Sequence, residues 1–276
     1  MDYLRNGKWS ETTRDERTFC SYLFHEIDNT ESFLAEIGDL EIPQFPKGNE
    51  LITRLEEKEK LTLSKTDFEV GFEVVFYRDI LHQLGCKVGT YIETLANLYS
   101  LKGWELENIE TVPNNYNLKK RTFDLCLFSK NKITIIEAKA YGGLEKEQTE
   151  DFISDLHIVK QLYKAITGED ISVDLIVIAS SIFFQSKSFK SNDNIGEPIG
   201  IGNRLLKAAN ETNEFNLKFV SWKQLGELSN NNKEIYALAD SIYQLDPGQK
   251  PKRPGCKCKE VNHEKELDCR VHNLVN

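Results

Sequence analysis

No apolar run in this 276-residue chain approaches the ~20 residues that a membrane-spanning helix requires. The opening stretch, MDYLRNGKWSETTRDERTF, lacks the apolar core of a secretory signal. Together these absences predict a cytoplasmic protein with no membrane partner. An excess of positive charge is also missing: 35 Lys and Arg against 44 Asp and Glu give a formal net charge of −9. Such a chain does not coat nucleic acid along its whole surface, although a local basic cleft survives that averaging. Cysteine is sparse in the body of the chain, where Cys20, Cys86 and Cys126 lie scattered. The other three, Cys256, Cys258 and Cys269, cluster near the end. In a cytoplasmic setting that clustering suggests a metal before it suggests disulfides.

What remains is ordinary for a soluble globular protein, with 39% hydrophobic and 29% charged residues. The length suffices for one large domain, or for a core with a small appended module. Residues 1–65 form a charged N-terminal region with helices expected at Arg14–Ile27 and Thr30–Ile37, the latter stopped by Gly38. Pro43 and Pro46 break the chain before a solvated helix at Leu51–Leu61. This region carries no evident chemistry.

Thr66–Leu84 reads as a single helix. Thr66 and Glu69 make a capping box, and Phe68, Phe72, Val75, Phe76 and Ile80 form a buried stripe. Glu73 flanks that stripe. A helix at Tyr91–Lys102 and a first core strand at Trp104–Val112 are expected next. Further on, Leu144–Thr167 reads as a long helix closed by Gly168, and SVDLIVIAS at Ser172–Ser180 as a strand covered on both faces. Lys187 and Lys190 sit in a polar loop and could reach phosphates, but ordinary solvation is the better explanation of them. A helix at Arg204–Asn210, a strand at Phe215–Trp222, and helices at Trp222–Leu228 and Glu234–Tyr243 complete residues 66–246.

Pro247-Gly248, Pro251 and Pro254 then mark a boundary, leaving 247–276 as a Cys/His-rich tail. Cys256, Cys258, Cys269 and His272 are four ligands in two pairs, suited to a tetrahedral structural zinc site, with His263 able to replace one of them. A tail this short and polar builds no core of its own, so a metal would be its means of folding.

The most informative stretch is Arg121–Ala140, RTFDLCLFSKNKITIIEAKA. Two β-like runs flank a short polar joint, as in a hairpin. In the second run Ile133, Ile135, Glu137 and Lys139 share one face, and Ile136 and Ala138 the other. A half-buried strand has uses for the isoleucines and none for Asp124, Glu137 and Lys139, because a lone ion out of water is costly. The three can satisfy one another as an ion-pair cluster, or the carboxylates can hold a divalent metal with the lysine beside it.

Phe123-Asp124, twelve residues, then Glu137-Ala138-Lys139 after a β-branched run resembles the PD-(D/E)XK nuclease signature, with Phe where that restriction-endonuclease-like superfamily often has Pro. The resemblance implies an α/β fold with an αβββαβ core and mixed sheet, spanning about residues 66–180. It implies Mg²⁺, or Mn²⁺, held by Asp124, Glu137 and the carbonyl of Ala138, with Lys139 orienting the attacking water. Glu73 would complete the metal site from a helix before the sheet. Gln148 resembles the glutamine of a Gln-x-x-x-Tyr element, with Phe152 at its last position. The implied substrate is DNA, with RNA as the alternative, and a second copy of the chain is a compatible partner. The absence of a helicase motif fits a stand-alone restriction-type endonuclease. Competing readings are a nuclease fold kept as an inactive binding module, and a zinc-tailed interaction protein with a structural ion-pair cluster.

Overall fold

The computed structural model describes residues 16–30, 32–40, 68–83, 122–140, 144, 146–186, 189, 200–212 and 215–242. By its contacts the chain divides into two units, Met1–Tyr243 and Gln244–Asn276. The second unit, with Cys256, Cys258, Cys269 and His272, lies outside the described residues, as do Lys187 and Lys190.

Helices α1 (Glu16–Asn29) and α2 (Phe33–Asp39) come first, followed by strand β1 (Glu69–Val74) and helix α3 (Phe76–Gln83). The hairpin of β2 (Phe123–Phe128) and β3 (Lys132–Ala138) leads into helix α4 (Lys146–Thr167) and strand β4 (Ser172–Ala179). Helices α5 (Ser181–Gln185) and α6 (Ile201–Thr212) precede β5 (Phe215–Ser221), and α7 (Trp222–Leu228) and α8 (Lys233–Ser241) follow it. Among the described residues the strands form one sheet in the order β1-β2-β3-β4-β5. Its β1/β2 and β2/β3 pairs are antiparallel, and its β3/β4 and β4/β5 pairs are parallel. None of the described helices is long and apolar enough to cross a membrane.

Helices cover both faces. The first core joins Phe76 and Tyr77 of α3, Phe152, Leu156 and Val159 of α4, and Leu205 of α6 to Ile133, Ile135 and Leu175 of the sheet. The second joins Phe19, Leu23 and Ile27 of α1, Trp222 of α7 and Tyr236 of α8 to Leu127, Ile136 and Ile176. Strand β4 is therefore covered on both sides, as its apolar run Leu175–Ala179 requires, and Asp174 at its start is paired with Lys132 at 3.0 Å. The joint between β2 and β3 closes through Ser129, whose backbone N–H donates to the Lys132 carbonyl at 2.9 Å. Gly168 ends α4 at φ 77°, a left-handed conformation that a side chain would oppose.

Two expectations are corrected. Thr66–Leu84 is not one helix, and Glu69 does not cap it: Glu69 opens β1, and the helical turn begins only at Phe76. The apolar positions suit either period, since Val70, Phe72 and Val74 also alternate, and pairing with β2 decides the outcome. Among the described residues the sheet begins at Glu69–Val74; Trp104–Val112, expected as the first core strand, lies outside them, as does Tyr91–Lys102. A smaller correction concerns Gly38, which falls inside α2 rather than after it. Lys218, on β5 beneath that helix, donates to the Gly38 carbonyl and to the Leu40 carbonyl at 2.8 Å. The buried ammonium thereby satisfies carbonyls that a helix end leaves open.

Candidate active site

The register of the first three strands brings the acids into one row. The β2/β3 register runs to Leu125 opposite Ile136, and Asp124 and Glu137 are the residues that follow that pair on either strand. Phe72 opposes Leu125 and Val74 opposes Phe123, which sets Glu73 opposite Asp124. Directly opposed residues hold their Cβ atoms roughly 5 Å apart. The Asp124 carboxylate accepts a hydrogen bond from the backbone N–H of Ala138 at 2.8 Å, which fastens it across the hairpin.

Lys139 follows the last residue of β3, and its backbone is held on every side. Its N–H donates to the Ile178 carbonyl at 2.8 Å, continuing the ladder to β4. Its carbonyl accepts from the Trp222 indole at 2.9 Å. The next N–H, of Ala140, donates to Glu16 Oε2 at 3.2 Å. The side chain turns back so that Nζ lies 2.7 Å from Glu137 Oε1 and 3.9 Å from Glu16 Oε2, with Lys139 16% and Glu137 5% exposed. Burial opposes the charged form of Lys139, but the carboxylates of Glu137, Glu16 and Asp124 outweigh it and raise its pKa above the ordinary lysine value. The ammonium is thus permanent at neutral pH.

Glu73 takes a different part from the one expected of it. It lies in a strand, not a helix, and its φ of 50° is the only positive value among the described non-glycine residues. The strand changes face there: Phe72 packs against the second core and Val74 against the first. The same change occurs opposite, where Phe123 belongs to the first core and Leu125 to the second. Val74 folds back over Gly71, where an added Cβ would meet Val74 Cγ2 at 2.6 Å, so the position has no room for a side chain. Glu73 Oε1 lies 2.8 Å from Nε of Arg17, the second residue of α1. An exposed pair of this kind contributes under ~1 kcal/mol, less than the about 1–3 kcal/mol cost of a strained backbone. Packing of Phe72 and Val74 into opposite cores must therefore hold the conformation.

No family model, curated protein or solved structure matches this chain. Four carboxylates (Glu16, Glu73, Asp124 and Glu137) and two cations (Arg17 and Lys139) leave a formal charge of −2. An all-oxygen donor set with that surplus fits a hard divalent cation such as Mg²⁺. The side chains as they stand grip protein partners instead. Among the described residues no three His, Cys, Asp or Glu side chains are arranged as a ready metal-binding group. The neighbouring thiols are inert: burial, then Asp124, Glu16 and Glu137, raise the pKa of Cys20, and burial, then Glu137 and Asp124, that of Cys126. A cysteine nucleophile is thereby set aside.

Of the residues expected from the sequence, Asp124, Glu137, Ala138 and Lys139 come together, and Glu73 stands in the same row. Gln148 falls in the first turn of α4, and its side chain lies outside the described residues. Glu16 and Arg17 were missed. They precede the stripe Phe19, Leu23 and Ile27, and an acid–base pair opening a helix carries no signal that separates it from solvated charge.

Proposed function

We propose that the chain is a metal-dependent nuclease of the PD-(D/E)XK kind, cutting DNA at phosphodiester bonds. The observation that carries this reading is the Asp124 carboxylate held 2.8 Å from the backbone N–H of Ala138, between Glu137 and Lys139, with the Lys139 ammonium 2.7 Å from Glu137. The element order supports it as well: α1, β1, β2, β3, α4 and β4 run helix, strand, strand, strand, helix, strand, with α2 and α3 as additions. The helix that would precede the sheet is then α1, and Glu16 takes the part first expected of Glu73.

Asp124, Glu137, Glu16 and the Ala138 carbonyl would hold Mg²⁺ or Mn²⁺. When bound, the cation supplies Lewis acidity toward the scissile phosphate and its attacking water. Lys139 serves as a donor rather than a base, because its raised pKa keeps the proton in place. It orients the water through that proton and opposes the negative charge that gathers on the phosphoryl oxygens. The hydrogen bonds from Trp222 and to Ile178 fix its backbone, so little reorganisation is required when substrate arrives.

In the test, purified protein meets linear, circular and single-stranded DNA, and RNA, with Mg²⁺ or Mn²⁺. Cleavage is expected for the natural chain and is expected to vanish in Asp124→Ala and Lys139→Ala. Cleavage of none of the substrates by the natural chain would refute the enzyme. A second reading rests on the tight Lys139–Glu137 pair, which is what a purely structural cluster in a binding module requires; DNA binding without cleavage is its signature. For the tail we further propose a structural Zn²⁺ on Cys256, Cys258, Cys269 and His272.

A further inference from the structure

A nuclease with a formal charge of −2 around its reacting centre must still draw in a polyanion. Of the two cations in the row, Lys139 is largely buried and committed to Glu137. Arg17 pairs with Glu73, but its side chain is 75% exposed at the outer end of the row. Its position follows from the first turn of α1. Glu16 reaches Ala140 and Lys139 at the end of β3, and the next residue, Arg17, reaches Glu73 on β1. Strand β2 with Asp124 lies between β1 and β3, so this turn crosses the row from one side to the other.

We propose that Arg17 is a substrate-binding residue that takes a backbone phosphate of the nucleic acid beside the reacting centre, exchanging Glu73 for it, and that Glu73 is its positioning residue. The inference rests on the nuclease reading above. Two independent features point to it. The first is the backbone at Glu73, a left-handed residue in a strand whose neighbours are driven into opposite cores. Strain of that sort persists where the surroundings impose it, and functional sites are where it gathers. Here its effect is to present the carboxylate, 37% exposed, to the guanidinium. The second is the chemistry of the pair. Guanidinium presents a planar fork of N–H donors that matches the oxygens of a phosphate as well as those of a carboxylate. A solvent-exposed ion pair is weak, so the Glu73 pair does not bar a phosphate from the fork. Glu73 holds the fork in place while the site is empty and gives it up when the strand arrives.

The experiment uses the full chain and a fluorescein-labelled duplex oligonucleotide, with the same single strand as a second probe. Dissociation constants are measured by anisotropy across a range of KCl on an Asp124→Ala background. Adding Arg17→Ala is expected to weaken duplex binding roughly tenfold and to flatten the log–log salt dependence by about 0.9, the contribution of one phosphate contact. Adding Glu73→Gln is expected to tighten binding and leave the salt slope in place, because the competing anion is gone and the arginine is not. In the cleavage assay without the background change, Arg17→Ala raises KM more than it lowers kcat. Thermal melting of each variant separates these effects from loss of fold. An Arg17→Ala protein that melts normally and keeps the parent affinity and salt slope overturns the assignment, and does so while cleavage by the natural chain leaves the nuclease reading intact. A natural chain that neither binds nor cuts either probe overturns both.

Discussion

Take the ammonium of Lys139 away and Glu137, almost wholly buried, faces Asp124 and Glu16 without its nearest cation. An uncompensated buried carboxylate is among the more damaging single changes a fold can suffer. Lys139→Met, which keeps the aliphatic length, is therefore expected to lose about 3 kcal/mol in urea denaturation near pH 8. In the natural chain the sign of the pH dependence is set by the raised pKa of Lys139: its contribution is present below the ordinary lysine value and disappears only as pH rises through the folded-state value. A Lys139→Met protein as stable as the natural chain at pH 8 would show that the lysine does not compensate these carboxylates. Stability and cleavage must be measured on the same preparation, because Lys139 carries both.

At the scale of elements, two buried polar contacts decide which helices stay where. Glu26 of α1 accepts from Ser229 Oγ at 2.5 Å, Asn232 Nδ2 at 2.9 Å and Tyr236 OH at 2.7 Å. It thereby pins the helix that carries Glu16 and Arg17 to α8 and the turn before it. Glu26→Ala strands three donors, and a loss of about 3 kcal/mol in thermal or chemical melting is expected, with Glu26→Gln losing less because one acceptor oxygen remains. On the other face Tyr77 of α3 donates to Asp155 Oδ1 of α4 at 2.8 Å, with both residues buried. Burial raises the Asp155 pKa well above the usual carboxylate value, and the Tyr77 hydrogen bond offsets this only in part. The raised value means that the folded chain holds the proton more tightly than the unfolded one. Stability from this group is thus present at low pH and lost as pH climbs through its folded value. Asp155→Asn is expected to raise the melting temperature at pH 8 relative to the natural chain and to leave it nearly unchanged at pH 4. An equal shift at both pH values would show that the charge on Asp155 is not responsible.

For the molecule as a whole, the division at Tyr243 and Gln244 separates a unit with two apolar cores from a tail that contains Cys256, Cys258, Cys269 and His272. Elemental analysis of the full chain is expected to find about one zinc per chain, and a chain ending at residue 246 to find none while its melting temperature holds. Zinc at the same level in the truncated protein would move the metal out of the tail. The sequence by itself determined the features that depend on local period and local chemistry. These are the hairpin around Ser129, the long helix closed at Gly168, the doubly covered strand Ser172–Ala179, and Asp124, Glu137 and Lys139 as charges that a strand does not want. Tertiary structure decided what depends on pairing. Residues 69–74 have apolar side chains at positions compatible with either period, and only the ladder with β2 makes them a strand. That ladder turned Glu73 from a helix residue into the outer member of an acidic row. The fold of α1 across the same row brought Glu16 to Ala140, 124 positions along the chain. A contact over that separation leaves no mark on the spacing of nearby residues, which is why Asp124, Glu137 and Lys139 were legible and Glu16 and Arg17 beside them were not.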